Sequence, residues 1–442
     1  MRTFSIGGIH PPGYKLSAGK PIQRAALPKQ SVVLLNQQIG ALAVPVVTKG
    51  DEVKTGQLIA KSGGIVSANI HAPVSGKISK IDLIPDTGGY KHKAIFIDVV
   101  DDVWVDTIDR SDVLIKDCNL DATAIVAKIA EAGVVGMGGA TFPTQVKLKP
   151  PHGKKADVLI VNAVECEPYL TSDHQLMMEK GEEILVGTTI LMKAIQAKRG
   201  VIGIENNKPD AIAHLKRLSA QYPGIEIIPL KVQYPQGGEK QLIEAIIGRQ
   251  VPSGAFPIEV GAIVQNVATV FAVYEAVQKN KPLFERIITV TGKSVSRPGN
   301  YLTRIGTPLS DLMHEAGGLP EDAAKVIGGG PMMGKALVNL SVPVTKGCSG
   351  LLVLTEKETL RKEIKNCIRC TKCVRACPMG LEPYLLMTLI EHEEWGKLEK
   401  ERIMDCIECG CCTYSCPSAR PLLDYLKIGK SKVGEVIRTR KQ

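Results

Sequence analysis

The sequence predicts a multidomain α/β protein that ends in a helical, cysteine-dense domain. Three observations predict it. The chain has 442 residues, too many for one ordinary hydrophobic core, so three or four domains are expected. Its apolar pattern changes from short runs broken by turn residues to helices alternating with buried-looking strands. Of its 12 cysteines, Cys118, Cys166 and Cys348 are scattered, while the other nine fall between 367 and 416.

Composition narrows the class. The chain is 44% hydrophobic and 23% charged, as globular proteins are, and only 4% aromatic, which gives no support to a base-stacking nucleic-acid surface. A net charge of +10 either serves an anionic partner or keeps the surface solvated. The longest charge-free stretch, Gln30 to Thr48, is broken by Asn36, Gln37, Gln38 and Pro45. No apolar run reaches the roughly 20 residues that span a bilayer. The first residues lack the apolar centre of a signal peptide, so a cytoplasmic protein with at most peripheral membrane association is expected. Dense cysteine in one short segment of such a chain indicates metal binding in a reducing compartment.

Residues 1–115 form the first expected domain. From about 28 to 80 the runs are short, and Gly50-Asp51 and Gly76-Lys77 are natural turn positions. The pattern resembles the barrel-sandwich module of lipoyl and biotinyl domains. Ile65 stands where their attachment lysine would be, so a structural or docking role is expected. Residues 116–284 form the second: helices at Ala122–Ala132, Gly181–Ala197 and Asp210–Leu218 alternate with strands such as Val158–Ala163 and Val201–Ile204. In 285–350, strands at Ile287–Val290 and Tyr301–Thr307 and a helix at Leu309–Ala316 make a small α+β unit. That unit resembles a β-grasp ligand-binding module, and Gly328-Gly-Gly-Pro331 reads as a tight turn. Residues 351–442 read as mostly helical. The end, Leu422 to Gln442, is basic and suggests either a docking tail or a solvated one.

The cysteines carry the most specific signal. Cys367-x2-Cys370-x2-Cys373-x3-Cys377-Pro378 is followed by Cys406-x2-Cys409-x2-Cys412-x3-Cys416-Pro417. This is the bacterial two-cluster spacing, in which three cysteines of one run and the fourth of the other hold each [4Fe–4S] cluster. Cys367, Cys370, Cys373 and Cys416 are therefore expected on one cluster, and Cys406, Cys409, Cys412 and Cys377 on the other. Zinc, which also uses C-x2-C pairs, rarely has four phased cysteines twice with a trailing proline. The 28 residues between Cys377 and Cys406 read as helix, and Cys411 falls between ligand positions as a bystander.

A second set of motifs lies upstream. The loop Gly136-Met-Gly138-Gly139-Ala140-Thr-Phe142-Pro143 lacks the spacing of a Walker loop or dinucleotide fingerprint. Its glycines could still let backbone amides approach a phosphate, with Lys147 adding charge. Val161-Asn162-Ala163-Val164-Glu165-Cys166-Glu167-Pro168 puts polar side chains at the end of a buried strand, where open α/β sheets bind ligands. Tyr234-Pro-Gln-Gly237-Gly238-Glu239-Lys240 is a second glycine turn, and Val264-Gln265-Asn266 a second polar strand end.

In this order the segments resemble the flavin-binding domain of the NADH-oxidising subunit of respiratory complex I. With Gly7-Gly8-Ile9-His10-Pro11-Pro12, the sandwich module and the paired cysteine runs, they resemble more closely the RnfC family of Rnf electron-transport complexes. The resemblance implies an α/β FMN- and NADH-binding domain beside a β-grasp module and a helical two-cluster ferredoxin domain. It further implies that Gly136, Gly138 and Lys147 hold the phosphate side of FMN. Asn162, Glu165, Gly238, Glu239 and Asn266 would line the flavin, and Phe142 and Glu167 would meet the nicotinamide nucleotide. Val164 and Lys240 depart from the complex I pattern, which has acidic residues there.

A nicotinamide exchanges two electrons as a hydride and a cluster exchanges one, so a flavin is the adaptor this set of motifs needs. No side chain is expected to act as a covalent catalyst. The resemblance implies a peripheral subunit on the cytoplasmic side of the bacterial inner membrane. Its implied partners are other Rnf-type membrane subunits and ferredoxin or flavodoxin, with no nucleic acid. A soluble cobalamin-reductase-like flavoprotein and a non-catalytic cluster relay scaffold are the competing readings.

Overall fold

The computed structural model describes residues 1–440, and its strands make four sheets. The chain opens on an extended segment. Arg2 bridges Leu230, Ile9 bridges Tyr234, and β1 (Ile22–Arg24) pairs with a strand some 280 residues downstream, from Asn300 on. Residues 1–24, grouped by sequence with the barrel-sandwich, thus run along the other modules.

The barrel-sandwich itself is built from β2 (Gln30–Leu34), β3 (Val44–Pro45), β4 (Glu52–Val53), β5 (Leu58–Lys61), β6 (Ile70–His71), β7 (Ser75–Pro85) and β8 (Lys91–Asp101). β2-β8-β7-β4 form one sheet and β3-β5-β6 the other. Val33, Ile59, Ile70, Ile78, Ile95 and Ile97 fill the space between them, each at most 1% exposed. Gly50 turns the chain with φ +99°, but Gly76 lies inside β7. Its role is closeness: a Cβ there would sit 2.0 Å from the Asp98 carbonyl of the neighbouring strand. Ile65 is exposed in the β5–β6 connection.

The α/β domain follows: α1 (Ala122–Glu131), α2 (Thr144–Lys147), β9 (Val158–Asn162), α3 (Ser172–Glu179), α4 (Gly181–Ile195), β10 (Arg199–Glu205), α5 (Pro209–Ser219), β11 (Ile225–Leu230), α6 (Glu239–Ile247), β12 (Ala262–Asn266) and α7 (Val267–Gln278). All strands are parallel, in the order β11-β10-β9-β12. Helices cover both faces, which is why Leu159, Ile160 and Val161 form one uninterrupted apolar run.

β13 (Glu285–Thr291), β14 (Gly299–Arg304), α8 (Leu309–Glu315), β15 (Ala323–Gly328), β16 (Lys335–Ala336) and β17 (Gly350–Thr355) make the small module, whose sheet takes in β1. Its junction with the other modules is ionic. Lys281 bridges Glu275 (2.5 Å) and Glu285 (2.7 Å), and Arg304 bridges Glu285 (3.2 Å) and Asp102 (2.9 Å). Pairing offsets the cost of burying these charges, so this network fixes how the modules seat.

The last domain holds α9 (Glu356–Thr359), α10 (Lys372–Ala376), α11 (Pro383–Glu391), α12 (Trp395–Lys400), α13 (Cys411–Ser415) and α14 (Leu422–Thr439). α11 and α12 occupy the interval between the cysteine runs. The basic end is a packed helix: Leu422, Leu426, Gly429 and Val433 of α14 are buried. Lys441 and Gln442 lie outside the described residues. No helix among those described is long and apolar enough to cross a membrane.

Candidate functional site

The candidate site lies at the carboxyl ends of the parallel strands, where loops part to opposite sides of an open sheet. Asn162 ends β9 and Asn266 ends β12, paired in register. Asn162 Nδ2 donates to the Gly237 carbonyl (2.8 Å), which seats the Tyr234–Lys240 turn on the sheet. Asn266 caps α7, its Oδ1 accepting from the Ala268 amide at 2.9 Å. Its Nδ2 donates to Asp173 (2.8 Å), a carboxyl that burial and the Glu165 charge hold above the usual range.

The Gly136–Phe142 loop closes through the Gly136 amide donating to the Phe142 carbonyl (2.9 Å). It is fastened to α7 by the Met137 amide donating to Thr269 Oγ1 (2.9 Å). Gly138 comes so near the sheet edge that a Cβ would lie 2.5 Å from Asn266 Nδ2. Lys147 Nζ bonds Glu239, the first residue of α6 after Gly238, at 2.6 Å, and the Val264 carbonyl at 3.1 Å. Gly136, Gly138, Lys147, Asn162, Gly238, Glu239 and Asn266 are thereby linked into one cluster. Closely approached glycine backbone, an ammonium and two amide side chains at the end of a parallel sheet fit a flavin mononucleotide.

Two expected residues, Glu165 and Glu167, spend their carboxylates elsewhere, and Lys240, which departs from the complex I pattern, also turns away. Glu165 accepts from the amides of Asp173 (2.7 Å) and His174 (3.2 Å), so its carboxylate sits on the positive end of α3. Glu167 accepts from the amides of Met332 (3.1 Å) and Met333 (2.8 Å), on the loop after β15. Burial nevertheless pushes this carboxyl up to about 7. Lys240 donates to the Pro252 carbonyl (3.2 Å), away from the cluster. Phe142 stays half-buried in the glycine loop. The Gly328–Pro331 segment is more than a turn, since it leads into the amides that hold Glu167.

Sequence reading missed two lysines. Lys15 Nζ donates to the carbonyls of Glu165 (2.9 Å), Glu167 (2.9 Å) and Leu170 (2.7 Å), and Lys208 Nζ to that of Val164 (2.7 Å). Together they pin the turn that follows β9. Neither lies in a motif; the adjacent Pro209 marks only the helix start at Lys208.

The cysteines form two sets. Cys377, Cys406, Cys409 and Cys412 line one small apolar hollow, with Cys411 beside them. Cys373 and Cys416 pack against the same apolar cluster, beside Met387 and Leu422. The fourth cysteine of each run therefore faces the other run. No three His, Cys, Asp or Glu side chains among the described residues converge as a single-ion site. Burial pushes Cys406 up to about 11 and Cys412 to about 12, so these thiols hold their protons until a metal draws the thiolate. Four such sulfurs around one apolar hollow fit a [4Fe–4S] cluster.

The two halves of the site meet at Tyr234. Its hydroxyl donates to the Cys409 carbonyl (2.9 Å), and its own carbonyl accepts from the Cys411 thiol (3.9 Å). Cys411, a bystander by spacing, is fully buried in this junction beside Ile9, Ala376 and Cys409. Cys166 packs there too, with the Gly237 amide directed at its sulfur (3.4 Å). The Gly8 amide donates to the Ala376 carbonyl (3.0 Å), and Gln241 Nε2 to that of Pro378 (3.0 Å). The cavity lined by Cys377 thus lies against the α/β domain, whereas Cys367 is exposed.

Comparison with known proteins gives a matching division. Residues 3–102 match the RnfC barrel sandwich hybrid domain, 129–275 the Nuo51 FMN-binding domain, 287–336 the SLBB domain and 366–419 the 4Fe-4S dicluster domain. The C-type subunit of the proton-translocating ferredoxin:NAD(+) oxidoreductase complex of Clostridium ljungdahlii is 44% identical over 98% of this chain and 94% of its own length. Its counterpart in the Na(+)-translocating complex of Acetobacterium woodii is 41% identical over 98% of this chain and 97% of its own. Among solved structures, the NAD+-reducing [NiFe]-hydrogenase in the air-oxidized state superposes with a TM-score of 0.51. That match has 21% identity, covers 70% of this chain and 63% of the other, and shows a shared fold.

Proposed function

The chain belongs to the RnfC family of ion-translocating ferredoxin:NAD(+) oxidoreductase complexes, and on that premise we propose how its residues divide the work. It is an oxidoreductase component with FMN and two [4Fe–4S] clusters, and NAD(H) is the fitting substrate. FMN supplies the exchange between hydride pairs and single electrons. The glycine loop and Lys147 hold the phosphate. Asn162, Gly238, Glu239 and Asn266 would line the flavin ring at the sheet edge, while Glu165, Lys15 and Lys208 stiffen the turn beside it. Phe142 and Glu167 border the nucleotide; Glu167 would have to leave the Met332 and Met333 amides to touch it.

One observation carries this reading: the unbroken contact from the Asn162–Gly237 pair through Cys166 and Tyr234 to Cys409. It puts the flavin cluster in packed contact with the Cys377, Cys406, Cys409 and Cys412 set. The chain would work on the cytoplasmic side of the bacterial membrane, docked on membrane subunits and exchanging electrons with ferredoxin or flavodoxin.

The test is anaerobic purification with analysis of iron, sulfide and flavin, followed by NADH. About eight irons and one flavin, with bleaching on NADH, are expected for two cubanes. Cys370→Ala should lose one cluster yet keep NADH-driven reduction of a small dye. Loss of dye reduction with flavin still bound would overturn the order proposed.

A further inference from the structure

One buried cation is ion-paired with nothing among the described residues. Arg286, the second residue of β13, is 4% exposed. Strand alternation turns it away from Glu285, which Lys281 and Arg304 already hold. Its hydrogen bonds go to carbonyls alone, those of Lys346, Met137 (3.4 Å) and Ile287 (3.4 Å). The two acidic groups near it offer no pairing. Burial pushes the Cys348 thiol up, so it keeps its proton, and Asp173 gives its Oδ2 to Asn266 (2.8 Å). A guanidinium keeps its charge, and burying it without an anion is strongly unfavourable. An anion bound beside it would offset that cost.

What lies next to Arg286 identifies the anion. Met137 belongs to the Gly136–Phe142 loop, and Arg286 Nη2 donates to its carbonyl. In a trans peptide the carbonyl and the following amide point in opposite directions. The Gly138 amide is therefore turned away from Arg286, toward the open side of the loop. There the amides of Gly138, Gly139, Ala140, Thr141 and Phe142 have no acceptor among the described residues. Gly138, Gly139 and Ala140 are exposed, and a Cβ on Gly139 would meet nothing within 4 Å. A run of unspent amides in front and a buried guanidinium behind suit a phosphate, with its counter-charge already fixed in place.

We infer that Arg286, from the small module, is a positioning residue for the FMN phosphate: it aims the Gly138 amide and supplies a buried positive charge behind the loop. The glycines and Lys147 come from the α/β domain, so two modules share the cofactor site. The inference rests on reading the Gly136–Phe142 loop as the phosphate site of FMN. The pyrophosphate of a nicotinamide nucleotide has the same chemistry, and the test separates the two.

The full, cluster-loaded chain is stripped of flavin and titrated with FMN and with riboflavin, which lacks the phosphate. Arg286→Met should weaken FMN binding about ten-fold or more, while riboflavin binding changes less than about two-fold. Arg286→Lys keeps the charge and should retain most of the preference for FMN. Should Arg286→Met not fold, Arg286→Gln, which keeps a donor but no charge, should show the same selective loss. Equal losses for FMN and riboflavin, or an unchanged FMN affinity, overturn the inference. So does weaker NADH binding by the FMN-loaded variant with FMN affinity intact, which would give the guanidinium to the nicotinamide pyrophosphate. If the unaltered chain binds FMN no tighter than riboflavin, the loop reading itself fails, before any variant is made.

Discussion

At the scale of single residues the site is governed by who occupies each hydrogen-bonding group. Asn162, Asn266 and Lys147 contact one another's loops directly, so their motif positions translate into one place. Glu165 and Glu167 come from the same motif but spend their carboxylates on amides of α3 and of the small module. Gly138 is the sharpest test at this scale. Any side chain there meets Asn266, whose own amide is fixed by α7 and Asp173. Gly138→Val should purify with at most a few per cent of the flavin but with normal iron, measured by absorbance and metal analysis. Full flavin occupancy would remove the loop from the phosphate site.

At the scale of elements, α14 decides whether the cysteine runs stay in place. Its Leu426 and Val433 close the small core around α11, Leu422 packs on Met387 of the same helix, and Gly429 lets the two helices touch. A Cβ at Gly429 would lie 2.6 Å from Ile390 Cδ1 and 2.9 Å from Leu398 Cδ2. Gly429→Val therefore overpacks the interface, at a cost of about 1–3 kcal/mol. The expected outcome is loss of iron on mild heating while the flavin remains bound, followed by parallel spectra at the cluster and flavin bands. Simultaneous loss of both would mean that the two domains unfold as one unit.

At the scale of the whole molecule, Lys346 joins three modules with no counter-charge. From the small module it reaches the Asn69 carbonyl of the barrel-sandwich and the Gly133 carbonyl of the α/β domain, each at 2.7 Å. Complete burial pulls its ammonium down to about 7 from the ordinary 10.5. The folded state then binds fewer protons than the unfolded state between those two values, so stability rises with pH across that window. Denaturant unfolding at pH 7 and pH 9 should show this, with a gain of roughly 2 kcal/mol attributable to the residue. Lys346→Met should abolish that difference relative to the parent chain; an unchanged pH slope would place the ammonium in contact with solvent.

The sequence by itself determined the order and type of the modules, the crossed cysteine spacing and the polar ends of β9 and β12. Those are local properties: helical and strand periodicity, turn residues and ligand spacing act over a few residues. Tertiary structure alone decided where residues 1–24 run, that the basic end at Leu422–Thr439 packs as a helix, and that Cys411 and Tyr234 join the clusters to the flavin domain. It also decided that Lys15 and Lys208 would pin a turn more than a hundred and some forty residues away, respectively, along the chain. Such contacts depend on which surfaces meet, and a lone lysine or cysteine carries no periodicity that could announce its partner.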